Sequence, residues 1–178
     1  GHRELVKMSW GFLTKKVSKK TGKELSPAAW NNAKADKVRT NGLWRQSFEQ
    51  RRCLVPATSF REAKGQRPAT DYWFALKGDE PRPPFAFAGL WRFAQDELRR
   101  EDTNLHTHTI ITTTANELVQ PIHPTRMPVI LDPGHYDTWL TGSVDEAAEL
   151  LVPYPADRMH IVLSGVGELR DDPTHFSE

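Results

Sequence analysis

An α+β domain organised around a mixed β-sheet is the fold class this sequence predicts. Short runs rich in β-branched and aromatic residues recur along the chain, helix-period stretches between them are few and brief, and irregular loops marked by Pro and Gly join the two kinds. At 178 residues, with no break in composition, one domain spanning residues 1–178 accommodates them all around a single sizeable core.

The elements follow in order. Glu4 to Trp10 reads as a strand that ends at Trp10-Gly11. Lys15 to Ser26 reads as a flexible basic loop with Gly22 as its turn signal. Asn41 to Gln50 places Leu43, Trp44, Ser47 and Phe48 at helical spacing, which predicts a short amphipathic helix. Cys53 to Ala57, Tyr72 to Leu76 and Phe85 to Leu90 are apolar enough for buried strands, and the proline-dense stretch Glu80 to Pro84 connects the last two. Leu105 to Thr113 is a strand of strong β-branched content, followed by a short helix over Ala115 to Val119 and a sharp turn at Gln120-Pro121. After Met127-Pro128 comes a second apolar strand. Asp132 to Leu140 and Ser143 to Leu151 read as helices, the second opened by a capping box of Ser143 with Glu146. Met159 to Leu163 is the last strand, before a charged tail.

Net charge is +1, but its distribution is uneven. Residues 1–70 hold sixteen Lys and Arg against five Asp and Glu, a balance of +11, while the remainder holds eight against eighteen, a balance of −10. A basic half of this kind suits a polyanion such as nucleic acid, with Lys15, Lys16, Lys19, Lys20 and Lys23 as its densest part; a solvated lysine-rich loop is the plainer alternative. Trp10 and Trp30 flank that run, and either could stack on an unpaired base. No apolar run is long enough to cross a membrane, and nothing at the start reads as a signal peptide, so a cytoplasmic protein is expected. Cys53 is the one cysteine; set in an apolar run, it reads as a buried structural thiol. His106 and His108 alternate on one strand and share a face, but no carboxylate with ligand spacing accompanies them or His123, so no metal site and no cofactor is expected.

The segment TIITTTANELVQPIHPTRMPVIL, from Thr109 to Leu131, carries the most information. Prolines on both sides restrict His123 and Arg126, which leaves two readings: a stiff connector whose side chains satisfy nearby carbonyls, or a loop displaying chemistry from a rigid scaffold. Glu62 also has two readings, a surface ion-pair partner of Arg61 or Lys64, or one half of a general acid/base pair whose natural partner is His123. Asn31-Asn32 reads on its own as a simple turn.

Taken with Asn32 to Asp36, RRCLVPATSFREAK from Arg51 to Lys64 and FAFAGLW from Phe85 to Trp91, that segment resembles the SOS response associated peptidase (SRAP) family, over about Arg3 to Asp172. The resemblance implies a curved, barrel-like β core flanked by short helices, and recognition of abasic sites in single-stranded DNA with covalent attachment to them. It aligns Glu62 and His123 with the family's catalytic glutamate and histidine, and Asn32 with the asparagine beside the abasic sugar. Lys34, where the family carries arginine, and Arg126 become substrate contacts; Lys15, Lys16, Lys19, Lys20 and Arg39 become contacts to the DNA backbone. The family's nucleophile is the cysteine after the initiator methionine, whose amine and thiol react with the sugar aldehyde. These 178 residues begin Gly1-His2-Arg3, so the expectation is a fragment or a shortened member without that cysteine. The implied activity is that of a DNA–protein crosslinking enzyme and autopeptidase, a hydrolase or lyase of the DNA damage and SOS response. The expected partner is single-stranded DNA with abasic sites, bound by a monomer without a membrane. The alternative is a non-catalytic single-stranded DNA-binding module that has lost the nucleophile, and an unrelated His-dependent hydrolase comes last.

Overall fold

The computed structural model describes residues 3–79, 82–94, 106–167 and 169–171. Its centre is a seven-stranded mixed sheet built on β8 (Phe85–Phe93) and β9 (His106–Thr113). β5 (Arg52–Ala57) runs antiparallel along one edge of β8, from Arg52 opposite Leu90 to Ala57 opposite Phe85. Two short strands, β1 (Ser9–Trp10) and β4 (Asn32–Lys34), lie parallel to β9, with Trp10 opposite His108 and Asn32 opposite Ile110. A second sheet of three strands has the order β12 (Met159–Val166), β7 (Thr70–Leu76), β6 (Phe60–Lys64), all antiparallel. The third unit is a hairpin of β2 (Phe12–Val17) and β3 (Glu24–Trp30).

Side-chain alternation along β8 and β9 divides the interior in two. One face turns Ala88, Leu90 and Ile111 toward Phe12, Trp44, Phe48 and the fully buried Trp139. These come from the β2 start, from α1 (Arg45–Gln50) with its preceding turn, and from α2 (Tyr136–Thr141). The Trp139 indole N–H donates to the Cys53 carbonyl at 2.9 Å, so the largest buried side chain is also satisfied. The other face turns Phe85, Phe87 and Ile110 onto Phe60, Phe74 and Met159 of the smaller sheet. Phe60 stacks on Phe74 at 5.1 Å and meets Phe87 edge-on at 5.9 Å, which ties the two sheets together.

β8 and β9 do not stay together over their whole length. They pair from Phe93 opposite His106 to Gly89 opposite Ile110, and then part. Met127 to Leu131 fills the opening: β10 (Met127–Pro128) pairs with β9, and β11 (Ile130–Leu131) pairs with β8. Between them, the Val129 N–H donates to Ile111 and its carbonyl accepts from Ala88. The loop carrying His123 and Arg126 is thereby hung from the mouth of this split.

The predicted mixed sheet with few short helices is present, but the strands form separate sheets of seven, three and two, with no closed barrel among the described residues. Four elements differ from expectation. Of Glu4 to Trp10 only Ser9–Trp10 is strand, because the segment before it has no pairing partner among the described residues and leaves Leu5 almost fully exposed. The basic loop Lys15 to Ser26 is instead the hairpin of β2 and β3, turned through Ser18 to Lys23 with Gly22 at a positive φ of 67°. Ala115 to Val119 makes turns rather than a helix, since the Asn116 side chain takes the N–H groups of Leu118 and Val119. Phe60–Lys64 forms a strand, β6, that was not among the expected elements, and it carries Glu62. The expected capping box on α3 (Val144–Glu149) is formed. Glu80 and Leu105, named at the ends of predicted elements, lie outside the described residues.

Candidate functional site

Strand alternation explains where Glu62 points. Phe60 and Glu62 are two apart on β6, so they share a face, and Phe60 faces the interior between the sheets. Arg61 projects the other way and pairs with buried Asp71 at 2.9 Å, so it is not the partner of Glu62. Glu62 sits half-buried at the rim of the inter-sheet core, opposite Tyr72. Burial raises its pKa above the ordinary carboxylate value, and the nearby charges of His123, Arg126 and Arg61 oppose that rise without cancelling it. Glu62, His123 and Arg126 therefore share one electrostatic neighbourhood, though they come from β6 and from the loop before β10.

The loop is fixed from below by Asn116. Its amide accepts from the N–H groups of Leu118 and Val119 at 3.1 and 3.0 Å, and donates to the Tyr154 carbonyl at 2.7 Å. The next turn closes with the His123 N–H donating to the Val119 carbonyl at 2.9 Å. Val119 is fully buried and Ile122 packs on the same inter-sheet cluster as Phe60. Nδ1 of His123 is buried and has no hydrogen-bond partner among the described residues, a nitrogen positioned without being committed. Sequence reasoning passed over Asn116, although an amide between a threonine run and an apolar turn is a recognisable turn former.

Asn32 and Lys34 stand on β4 opposite Ile110 and Thr112. Ala33 between them is buried in the helix-side core, so Asn32 and Lys34 point to the face that Ile110 shares with the smaller sheet. Both are exposed. The structure thus gathers Glu62, His123 and Arg126, and puts Asn32 and Lys34 on the same side of the large sheet. Trp10 adjoins them on β1, half-exposed, with its indole N–H held by the Asn31 carbonyl at 2.9 Å. Lys15 and Lys16 lie on β2, and Lys19 and Lys20 in the hairpin turn, all four exposed on a ribbon that projects from the body. Arg39 is elsewhere engaged, with Asp145 at 2.7 Å, and a phosphate there would compete with that carboxylate.

A cavity of about 710 Å³ lies at the β5 edge of the sheet, lined by Cys53, Trp91, His106 and His108, by residues between Arg3 and Met8, and by Asp137 and Leu140 of α2. Neither Glu62 nor His123 borders it, so it is not the candidate site. The His106 ring lies 4.5 Å from that of Phe93. Burial pushes the Cys53 thiol up to about 12, far from the range in which a thiolate forms at neutral pH.

The fold has counterparts among known proteins. The model of the family SOS response associated peptidase (SRAP) matches residues 1–167, and the chain belongs to that family. It is 34% identical over 162 residues to the abasic site processing protein YoaM of Bacillus subtilis, covering 89% of this chain and 67% of that protein. The abasic site processing protein YoqW of Bacillus phage SPbeta is 35% identical over 162 residues, covering 89% and 68%. Among solved structures, a protein from Bacteroides thetaiotaomicron superposes with a TM-score of 0.64 at 28% identity, over 81% of this chain and 62% of that one. One from Bordetella bronchiseptica gives 0.69 at 23% identity, over 91% and 76%, and speaks to the fold alone. The chain spans about two thirds of the length of the curated relatives it matches, and 62% of the Bacteroides chain. No helix of the described residues is long and apolar enough to cross a membrane.

Proposed function

We propose that this domain recognises and processes abasic sites in single-stranded DNA, with Glu62 and His123 as the proton-transfer pair. The observation that carries the reading is their convergence, with Arg126, beside a sheet face that also presents Asn32 and Lys34. An abasic nucleotide offers a sugar aldehyde and no base. Asn32 can both donate to the sugar's oxygen and accept from its hydroxyl, while Lys34 and Arg126 face the flanking phosphates. The hairpin lysines extend the positive surface along the strand.

Covalent capture, as the family resemblance implies it, joins an N-terminal cysteine to the aldehyde. The amine adds to the carbonyl, water leaves, and the thiol closes a thiazolidine ring. This sequence needs a proton delivered to the departing oxygen and another removed from the amine, so one group in one protonation state is not enough. Glu62, with its pKa raised by burial, and His123, with an uncommitted buried nitrogen, supply two. Cys53 cannot substitute for the nucleophile, since it has a mid-chain thiol without a free amine and that thiol is held protonated.

The test is adduct formation on an abasic oligonucleotide, read by denaturing electrophoresis, with the 178 residues placed after a segment that begins Met-Cys-Gly. Glu62→Gln and His123→Gln should each slow the adduct by about a hundredfold or more, the usual range for general acid–base catalysis. Rates equal to the parent would contradict the assignment. Without that segment the 178-residue chain should give no adduct, and a band dependent on Cys53 would overturn its structural role.

A further inference from the structure

We infer that Trp30 is a stacking platform for a nucleobase flanking the abasic nucleotide, set between Asn32 and the basic hairpin. This deepens the single-stranded DNA reading and rests on it. β3 has no core to fill, since Ala28 alone of its residues is even partly buried. Trp30 ends that strand 48% exposed. One apolar residue in water is commonplace on a protein surface, and what sets Trp30 apart is how it is held. Its indole N–H donates to the Thr14 hydroxyl of β2 at 2.9 Å. That bond satisfies the ring's one polar atom within the protein and fixes its plane, so the surface left to solvent is π surface.

The ring also stands at the rigid end of the ribbon. Phe12, opposite Trp30 in the hairpin register, is fully buried, 5.3 Å from the Trp44 ring and 4.6 Å from the Arg92 guanidinium. A platform held in advance in this way loses little freedom when a base settles on it. Position supplies the ligand. Asn32 begins β4 two residues after Trp30, roughly 7 Å of extended chain. On the other side of Trp30 the ribbon runs out to the exposed Lys16, Lys19 and Lys20. A strand that sets its abasic sugar at Asn32 and its phosphates along those lysines passes Trp30 on the way. An abasic nucleotide deprives its neighbour of one stacking partner, and an indole replaces it without regard to sequence, because every base has a π face.

The test compares two single strands of equal length bound to the 178-residue chain. One carries a single tetrahydrofuran analogue among ordinary nucleotides; the other is made of tetrahydrofuran units alone, which keeps every phosphate and has no base. Trp30→Leu retains apolar bulk and removes the π face. It should weaken the first complex about tenfold, the size of one base–aromatic stack, with the salt slope unchanged. Its affinity for the base-free strand should stay within about twofold of the parent, and Trp30→Phe should recover most of the loss on the first strand. A 2-aminopurine beside the analogue should lose fluorescence on binding the parent and much less on binding Trp30→Leu. Unaltered affinity of Trp30→Leu for the base-containing strand overturns the platform. An equal loss on both strands, or a flattened salt slope, overturns it as well, since either would give Trp30 a role that no base shares. Equal affinity of the parent for the first strand and an intact one would instead refute abasic recognition alone and leave the base-dependent loss at Trp30 standing.

Discussion

Gly89 offers the sharpest test of how the large sheet is assembled. It is the last β8 residue paired with β9 before the two strands part, and it faces Cys53 across β5. A Cβ built on it would lie 2.7 Å from a Val55 methyl, 2.8 Å from the Cys53 sulfur and 3.2 Å from the Cys53 carbonyl. Its φ is not among the positive values, so an alanine would be objectionable for space alone. Overpacking of this kind costs about 1–3 kcal/mol. The smaller unfolded-state freedom of alanine returns about 0.4–1 kcal/mol. A net loss of about 1.5 kcal/mol corresponds to roughly 3–6 °C in a domain of this size. Thermal melting of Gly89→Ala should show that fall, and the loss should shrink by at least about 0.5 kcal/mol in a Cys53→Ala background, since the two positions touch. The same should hold with Val55→Ala. An unaltered melting temperature, or a penalty identical in all three backgrounds, would refute the close-approach explanation for the glycine of FAGLW.

Two further expectations concern charge. Glu62 has a folded-state pKa raised above its unfolded value, so its favourable contribution is full below the unfolded pKa and is lost as pH rises through the folded one. Glu62→Gln should therefore raise the melting temperature at neutral pH relative to the parent, with the gain vanishing near the ordinary glutamate pKa of about 4.3; a gain independent of pH would remove the buried carboxylate from the account. Replacing Lys15, Lys16, Lys19 and Lys20 together by Ser should weaken single-stranded DNA binding and flatten its salt slope by about 0.7 for each phosphate no longer neutralised, and an unchanged slope would exclude the hairpin from the interface.

What the sequence discloses depends on whether burial imprints a pattern. β8 and β9 were legible because long buried strands require apolar and β-branched runs, and FAFAGLW and HTHTIITT supply them. The capping box of α3 was legible because Ser143 and Glu146 act locally. β2 and β3 were not, since they are largely exposed and held by backbone hydrogen bonds to which lysines are indifferent. β6 was missed for a related reason: Phe60 is its only large apolar residue, and Glu62 occupies the next inward position. The identities of Glu62, His123 and Asn32 came through family resemblance. The nearness of Glu62 to His123 depends on the split between β8 and β9 and on the Asn116 anchor, both long-range features that no local spacing encodes.

Affinity for an abasic single strand, relative to an intact one, tests the central proposal most directly. A strand carrying a tetrahydrofuran analogue has no aldehyde, so its binding to the 178-residue chain reports recognition apart from any covalent step. The account predicts tighter binding than to the intact strand by about tenfold or more, a difference of ~1.4 kcal/mol. Asn32→Ala should bring the two affinities to within about twofold while overall binding persists through the basic hairpin. Equal affinity of the parent chain for the abasic and intact strands would contradict it.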